Sequence, residues 1–342
     1  MINNESNPLP IDFSSPIFNR SPFIIKYGLM KSLDFYHYTD LNGFISIMQN
    51  QELWASHISF MNDTSEYLHG KKMFQDELSY RITNGTTQEK ALLTETLKSL
   101  DNEYSCGFSS ISSRDVFSLS FSYSRNSLEL WRGYGKRSGI AIGFDFSDFG
   151  GNIRLLPTEI YESLLEKCKN PEDIVPDNHE MLFMPISVCY SDDEKKTLVN
   201  AIIDSVLQEY NRQIMNGSQI ALIGALQSLS DLIFYFIPFF KHPGFIGENE
   251  CRIISDNFHY LSENPYKIHY RERGGVILPY IKLKILDCNC RPLKSFPIRE
   301  IIVGPGLRQQ KTIESVKYFL EKNGFNDLVS KVHASDIPYV EV

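Results

Sequence analysis

The sequence predicts an α+β fold, because segments typical of strands and of helices do not alternate regularly along the chain. Short alternating or apolar runs typical of strands are more numerous than a parallel doubly wound fold requires, and several of them follow one another without a helix between them. The composition is that of a globular protein, since 42% of the 342 residues are hydrophobic, which is enough for a substantial core.

The first part of the chain contains a strand followed directly by a helix. Residues 34–38 are rich in aromatic side chains, and Thr39 or Asp40 can cap a helix with apolar residues at helical spacing over 41–48. Similar patterns then predict a strand over 52–56, a helix over 64–82, a helical excursion over 83–105, and strands over 118–122 and 139–145.

The second part is predicted to carry two long helices and most of the remaining strands. In order, the patterns indicate a loop with a helix over 157–185, a strand over 184–190, helices over 192–216 and 218–237, strands near 248–254 and over 276–286 and 298–303, a helix over 309–322 and a strand over 328–332. We expect residues 1–30 to be an N-terminal arm and 31–342 to be one elaborated domain with a helical insertion at about 192–240.

Charge and cysteine usage limit the class of protein. The net charge of −8 does not support binding to nucleic acid through a basic surface, although a local basic groove stays open. Six scattered cysteines, no Cys-x-x-Cys pair and no visible signal peptide lead us to expect reduced thiols in the cytoplasm. The apolar run over 220–240 contains Asp231 and Pro238, so we expect a buried helix and no membrane association.

Two glutamates and an arginine at alternate positions form the most informative motif. If Glu248, Glu250 and Arg252 lie on a strand, their side chains share one face, with the carboxylates roughly 7 Å apart. Like charges at that distance raise the pKa of at least one carboxyl unless Arg252 offsets the repulsion. Such perturbed groups occur at catalytic sites, but a surface ion pair explains the same residues.

Aromatic and basic side chains elsewhere offer ligand-binding groups. Trp131 and Tyr134 stand among glycines and cations, which suits a flat ligand lying against a ring, but the same aromatics can form a corner of the core. His37 can be a core histidine or a site residue. Lys241 before the acidic motif can bind an anion or belong to a solvated turn.

The motifs of several familiar enzyme classes are missing from the sequence. Gly133 and Gly135 precede a strand and not a helix, so they do not form the dinucleotide-binding fingerprint. The sequence has no phosphate-binding Walker loop, no Gly-x-Ser-x-Gly elbow, no zinc-protease helix and no EF-hand loop, and no metal-ligand motif is assigned from it.

The order of several weak motifs nevertheless resembles a known family. The motifs span about residue 35 to the C-terminus, and they resemble a widespread bacterial family catalogued as a domain of unknown function; they are Tyr36 to Thr39, Leu53 to Ser56, Phe60 to Asp63, Leu130 to Tyr134, Gly139 to Asp145, Lys241 with Glu248 to Arg252, and Ile337 to Tyr339. The family implies no activity.

A more distant resemblance is to ADP-ribosyltransferases, whose site residues follow one another as His or Arg, then an aromatic or Ser, then Glu. It implies a mixed, mainly antiparallel split β-sheet flanked by helices. By this resemblance His37 and Tyr38 bind NAD, Tyr134 stacks on nicotinamide, and Glu250 stabilises the oxocarbenium-like transition state. Glu248 resembles the first acid of a Glu-x-Glu pair, and Trp131, Lys241 and Arg252 complete the expected binding set.

Three functions are therefore expected. The first is an ADP-ribosyltransferase-like enzyme that uses NAD to modify a protein or a nucleic acid, as a toxin or an effector of phage defence. The second is a non-catalytic domain of the same fold that binds a nucleotide or a partner. The third is a metal-dependent hydrolase or nuclease using Glu248, Glu250, Asp63 and Glu66, whose activity EDTA would abolish. The macromolecular target and the oligomeric state are not indicated.

Overall fold

The computed structural model describes residues 34–61, 64–101, 116–135, 139–145, 154–168, 170, 186–256, 267–287, 291, 293 and 296–339. The expected arm at 1–30 and Asp63 lie outside these residues. The described residues form a mixed fold with an open, mostly antiparallel sheet flanked by helices, as the sequence predicts at this level.

Most of the sheet is antiparallel and its strands are far apart in sequence. The strands are β1 (Asp34–Asp40), β2 (Glu52–His57), β3 (Val116–Ser122), β4 (Gly139–Asp145), β5 (Arg154–Pro157), β6 (Ile186–Ser187), β7 (Glu250–Asp256), β8 (His269–Arg273), β9 (Val276–Leu286), β10 (Ile298–Val303) and β11 (Val332–Ala334). The main order is β11-β10-β4-β1-β3-β2-β9-β5; β7 also pairs with β3 and β6, and β8 pairs with β9. β10 and β11 run parallel.

The sheet branches at β3. One edge of β3 pairs with β7 over its full length. The other edge is shared, because β1 pairs with it at Ser122 and β2 pairs with it at Ser118 and Phe117. The middle of this edge, around Ser120, therefore belongs to neither ladder, and β1 and β2 diverge from each other there.

Helices cover both faces of the sheet. The longer helices are α1 (Leu41–Asn50), α2 (Thr64–Asn84), α3 (Thr87–Asp101), α4 (Thr158–Cys168), α5 (Asp192–Met215), α6 (Ala221–Phe236) and α7 (Gln309–Lys322). Asp40 caps α1, since its side chain accepts a hydrogen bond from the backbone of Gly43 at 2.9 Å. Shorter helical segments are Ile58–Phe60, Leu128–Leu130, Trp131–Gly135, Ile237–Phe239, Pro243–Glu248 and Asn326–Lys331.

The two main hydrophobic clusters lie on opposite sides of β3. Phe117, Leu119 and Phe121 belong to a cluster with residues of α1 and α7. Val116 belongs to the other, which α2, α3, α5 and α6 build largely from one another's side chains. Because successive residues of a strand point to opposite faces, the serines of β3 share the face of Val116. That face is polar in its middle, where its serines, together with Leu119, Phe121 and residues of α1, line a cavity.

Several predicted elements have different bounds or a different type. The strand predicted over 184–190 is only Ile186–Ser187 within the described residues. The strand predicted over 328–332 is mostly a 3-10 helix, Asn326–Lys331, and the strand begins at Val332. The sequence patterns did not indicate β5 or β8. Short segments are decided by their neighbours in the fold more than by local pattern, which explains these errors.

The apolar segment suspected of crossing a membrane is part of the core. Ala221–Phe239 is long and apolar enough to do so, but 67% of it is buried inside the protein. Its residues pack in the cluster formed by the helices. This burial is the behaviour expected of a core helix.

Candidate functional site

A cavity of about 500 Å³ lies where β1 and β2 diverge from β3. Five of the residues singled out from the sequence line it: His37, Tyr38, Tyr134, Glu248 and Glu250. They come from β1, from the helical segment that ends at Gly135, from the 3-10 helix Pro243–Glu248 and from the start of β7. A volume of this size matches that of small-molecule sites. Trp131, Lys241 and Arg252 do not line the cavity.

Three serines of β3 line the cavity, namely Ser118, Ser120 and Ser122. They share one face of the strand because small polar residues alternate with apolar ones along it. Ser122 Oγ donates a hydrogen bond to the backbone oxygen of Glu248 at 2.6 Å, which ties the acidic motif to β3. The Ser118 hydroxyl is buried and has no hydrogen-bond partner among the described residues. Buried polar groups are normally paired, so this one is notable.

Glu250 is the carboxylate most firmly held in the wall of the cavity. Arg252 donates to both of its oxygens, at 2.7 Å and 2.9 Å, and Lys241 donates to Oε2 at 3.0 Å. All three side chains are buried. Burial alone acts to raise the pKa of Glu250, but Arg252 and Lys241 hold the pKa at about 2. Ser120 adds to this lowering, although its hydroxyl forms no well-shaped hydrogen bond. Glu250 is therefore ionised at neutral pH.

Glu248 does not lie on the strand, contrary to the prediction. It ends the 3-10 helix Pro243–Glu248, and Asn249 adopts a left-handed conformation with φ of 43°. The strand begins only at Glu250, so the alternation argument holds for Glu250 and Arg252 alone. Lys241 still joins the two carboxylates, since its ammonium donates to Glu248 at 2.7 Å. Burial raises the pKa of Glu248, and Lys241 opposes that rise.

His37 lies at the gap between β1 and β2. Its Nδ1 is 3.0 Å from the backbone oxygen of Ser120, and its ring meets the edge of Phe121 with centroids 5.7 Å apart. Burial lowers the pKa of His37 to about 4. The neutral ring must carry its proton on Nδ1, because a carbonyl oxygen only accepts hydrogen bonds. Nε2 is thus an acceptor, with no hydrogen-bond partner in the part of the chain that the structure describes.

The two aromatics of the Trp131–Gly135 helical turn have different surroundings. Tyr134 lines the cavity, and the guanidinium of Arg273 lies 5.7 Å from the centre of its ring. Burial raises the pKa of Tyr134 to about 12, so its hydroxyl is protonated. Trp131 is buried against Tyr38, with ring centroids 4.7 Å apart, and its indole donates to Asn126. Trp131 therefore packs behind the site.

Two arginines in the wall of the cavity were not identified from the sequence. Arg271 and Arg273 belong to β8, which pairs with β9 through a two-residue turn. Both residues of that turn, Gly274 and Gly275, have positive φ, 62° and 83°. A Gly-Gly pair between strands is a recognised hairpin signal, and alternation along β8 then places both arginines on one face. This signal was present in the sequence.

Arg271 crosses the sheet over two stacked aromatic rings. Its guanidinium carbon lies 5.3 Å from the ring centres of both Trp54 and Tyr280, whose rings stack at 4.6 Å. Its Nη2 donates to the Ser56 hydroxyl at 2.8 Å, and its buried Nε has no hydrogen-bond partner among the described residues. Burial lowers the pKa of Arg271, and the neighbouring Arg273 adds to the lowering. Trp54 and Ser56 also line the cavity.

The described residues offer no cluster for a metal ion. No group of three or more His, Cys, Asp or Glu side chains that could hold one is found among them. Glu248 and Glu250 are paired with Lys241 and Arg252, whose cations would repel a bound Mg²⁺. The predicted metal ligands Asp63 and Glu66 cannot be placed, because neither side chain lies within the described residues.

Comparison with models of protein families gives a match for part of the chain. Residues 130–253 match the sequence model of a family described as a protein of unknown function, DUF2971. Comparison with curated proteins and with solved structures gives no match. The matched segment includes Tyr134, Lys241, Glu248, Glu250 and Arg252, but neither His37 nor the β8–β9 hairpin. Residues 130–253 are therefore similar to that family, whose description states no activity.

Proposed function

We propose that this protein is an ADP-ribosyltransferase-like enzyme that binds NAD in the cavity and transfers ADP-ribose to a macromolecular target. The observation that carries the proposal is that His37, Tyr134 and Glu250, which are far apart in the chain, line one cavity. Their order is the one that the resemblance to ADP-ribosyltransferases assigns to ribose binding, nicotinamide stacking and charge stabilisation. A role as a toxin or as an effector of phage defence in the cytoplasm is part of the same proposal.

Glu250 has the charge that this chemistry needs. When the bond between nicotinamide and ribose breaks, nicotinamide leaves with the electron pair and positive charge develops at the ribose carbon. A fixed carboxylate near that carbon lowers the barrier. A carboxylate offers about four lone-pair positions, and three hydrogen bonds from Arg252 and Lys241 occupy Glu250, so about one is left for a ribose hydroxyl.

The other cavity residues fit complementary tasks. His37 presents Nε2 as an acceptor for a second ribose hydroxyl, since its proton is held on Nδ1 by the Ser120 carbonyl. The ring of Tyr134 offers a surface for nicotinamide. Glu248 has a raised pKa and receives only one hydrogen bond from Lys241, so it is the better acceptor for the proton that the target nucleophile loses on attack at the ribose carbon.

The test is transfer of label from NAD to cell lysate by the wild type and by Glu250→Gln. We expect the substitution to reduce transfer by about a hundredfold or more, because it removes the stabilising charge. Glu321→Gln is the matched control, since Glu321 is exposed on α7 away from the cavity, and it should keep full activity. Melting curves of all three proteins show whether each is folded.

Two results would count against the proposal. Undiminished transfer by a folded Glu250→Gln variant would remove Glu250 from the chemistry. No label transfer and no release of nicotinamide by the wild type, while NAD still binds, would favour the second candidate function instead.

The second candidate is a nucleotide- or partner-binding domain without catalysis. It is supported by the pairing of Glu250, because a buried carboxylate held on both oxygens by Arg252 and Lys241 also has a purely structural explanation. This candidate predicts NAD binding by calorimetry and intact NAD after long incubation. The metal-dependent hydrolase is not proposed further, because the cations around Glu248 and Glu250 oppose metal binding.

A further inference from the structure

Arg271 is a partly buried cation without an ion pair among the described residues. The hydrogen bond that it makes is to a neutral hydroxyl, that of Ser56. The charge of Asp40 favours the cation from a distance but forms no salt bridge with it. Removing a guanidinium from water costs free energy that a neutral hydroxyl does not recover. An anionic ligand in the cavity would supply the missing compensation.

The guanidinium is held in one orientation before any ligand binds. Trp54 and Tyr280 lie at equal distances of 5.3 Å from its carbon, and Ser56 fixes one terminal nitrogen. A planar guanidinium in a fixed position can donate two parallel hydrogen bonds to a phosphate or carboxylate. The ordering cost of binding is therefore already met by the fold.

Two further donors stand near this group. Arg273 lies two residues along the same face of β8, roughly 7 Å away, and it also makes no ion pair with the described residues. The unpaired hydroxyl of Ser118 lies on β3 directly opposite Ser56, the residue that Arg271 contacts. Two cations at this spacing and a free hydroxyl suit a ligand with several anionic oxygens better than a single carboxylate.

We propose that Arg271 and Arg273 on the β8–β9 hairpin form a subsite for the phosphate groups of a nucleotide, with Ser118 as an additional donor. This subsite deepens the proposed function, since NAD carries a pyrophosphate, and its identity as a nucleotide site rests on that proposal. The binding of a phosphate anion itself needs no catalytic residue. Glu248 and Glu250 contribute no net negative charge that would repel it, because Lys241 and Arg252 neutralise them.

The experiment is calorimetric titration of the full chain with ADP and with inorganic pyrophosphate. The wild type should bind both ligands, with affinity that falls as salt is raised. Arg271→Gln should weaken the binding of each by about tenfold to a hundredfold, the range for loss of a charge-assisted hydrogen bond. Arg308→Gln removes the same charge from an exposed position outside the cavity and should leave both affinities unchanged.

Further variants keep the test decisive if Arg271→Gln does not fold. Arg273 is exposed at the tip of the hairpin, so Arg273→Gln should fold and weaken pyrophosphate binding several-fold. Arg271→Lys keeps the charge but loses the planar fork, and we expect an affinity between those of the wild type and Arg271→Gln. A folded wild type that binds neither ADP nor pyrophosphate would overturn the proposal, as would equal affinities in the wild type and the arginine variants.

The outcomes also separate this subsite from the proposed enzyme activity. Binding of ADP that depends on Arg271, together with intact NAD after incubation, would establish the subsite and reject the transferase. Cleavage of NAD with a KM that neither Arg271→Gln nor Arg273→Gln changes would support the transferase and reject the phosphate subsite.

Discussion

Two charged groups line the same cavity and differ in how their charges are balanced. In the acidic group, Lys241 and Arg252 neutralise Glu248 and Glu250 through hydrogen bonds of 2.7 to 3.0 Å. In the basic group, Arg271 and Arg273 bring two positive charges that form no ion pair with the described residues. The first group is complete within the protein, whereas the second is complete only with an anion.

The difference follows from the cost of burying charge. A buried ion needs a partner of opposite sign, and Glu250 has two. Arg271 is kept in place by aromatic rings and one hydroxyl, which hold its geometry but leave its charge uncompensated. The acidic group therefore stabilises the fold and has a fixed geometry, whereas the basic group lowers the stability of the free protein and favours the binding of an anion.

The largest expected effect on stability comes from removing a cation from the acidic group. Arg252→Met leaves Glu250 buried with Lys241 as its remaining cation and removes the contact with the Pro238 carbonyl. We expect the free energy of unfolding to fall by about 3 to 5 kcal/mol, measured by urea denaturation at pH 7.5. Arg308→Met on the surface serves as the control and should change it by less than about 0.5 kcal/mol. A loss below about 1 kcal/mol for Arg252→Met would show that the pairing is energetically minor.

A smaller effect concerns the pH dependence of stability that His37, a third titratable group lining the cavity, contributes. The unfolded-state pKa is near 6.5 and the folded-state pKa is about 4, so the unfolded chain binds the proton first as the pH falls. The contribution of His37 is therefore fully present above pH 6.5 and is lost as the pH falls towards 4.

The corresponding measurement compares unfolding at pH 7.5 and pH 5. The wild type should lose about 2 kcal/mol more than His37→Gln over this interval, since each pKa unit corresponds to about 1.4 kcal/mol. His333→Gln, at an exposed position, should behave like the wild type. Equal losses for the wild type and His37→Gln would mean that His37 is as easily protonated in the fold as in the unfolded chain.

The smallest expected effect on stability comes from removing a cation from the basic group. Arg271→Met removes stacking on Trp54 and Tyr280 but also removes an uncompensated charge, and the two changes oppose each other. We expect the free energy of unfolding to stay within about 1 kcal/mol of the wild type in the absence of ligand. A loss as large as that of Arg252→Met would show that the acidic and basic groups do not differ in their contribution to the free energy of unfolding.

Much of the secondary structure was predictable from the sequence because local patterns were strong. The helix Gln309–Lys322 and the strand Gly139–Asp145 have the predicted bounds, since one is strongly amphipathic and the other is a continuous apolar run. Asp40, one of the two predicted candidates, caps α1. By contrast, the left-handed Asn249 interrupts the acidic motif, and nothing in the pattern Glu-Asn-Glu indicates that turn.

The candidate site was predictable in part, for residues that carry chemistry in their own local sequence. Glu250 and Arg252 were expected to share a face, and in the strand they do. Trp131 was interpreted either as a ligand contact or as part of an aromatic corner of the core, and it packs behind Tyr38, since aromatic residues fill a core as readily as they form a site. Arg271 and Arg273 were missed although the Gly-Gly turn after them was visible.

The sequence by itself determined that polar and apolar residues alternate along β3, that Asp40 can cap α1, and that an acid and a cation stand two positions apart at 250 and 252. These properties depend on side-chain alternation and capping, which act over a few residues. Only the tertiary structure decided that β1 and β2 share one edge of β3, that Lys241 joins Glu248 to Glu250, and that Arg271 reaches Ser56 across the sheet. Contacts between distant segments depend on strand pairing, which no local pattern specifies.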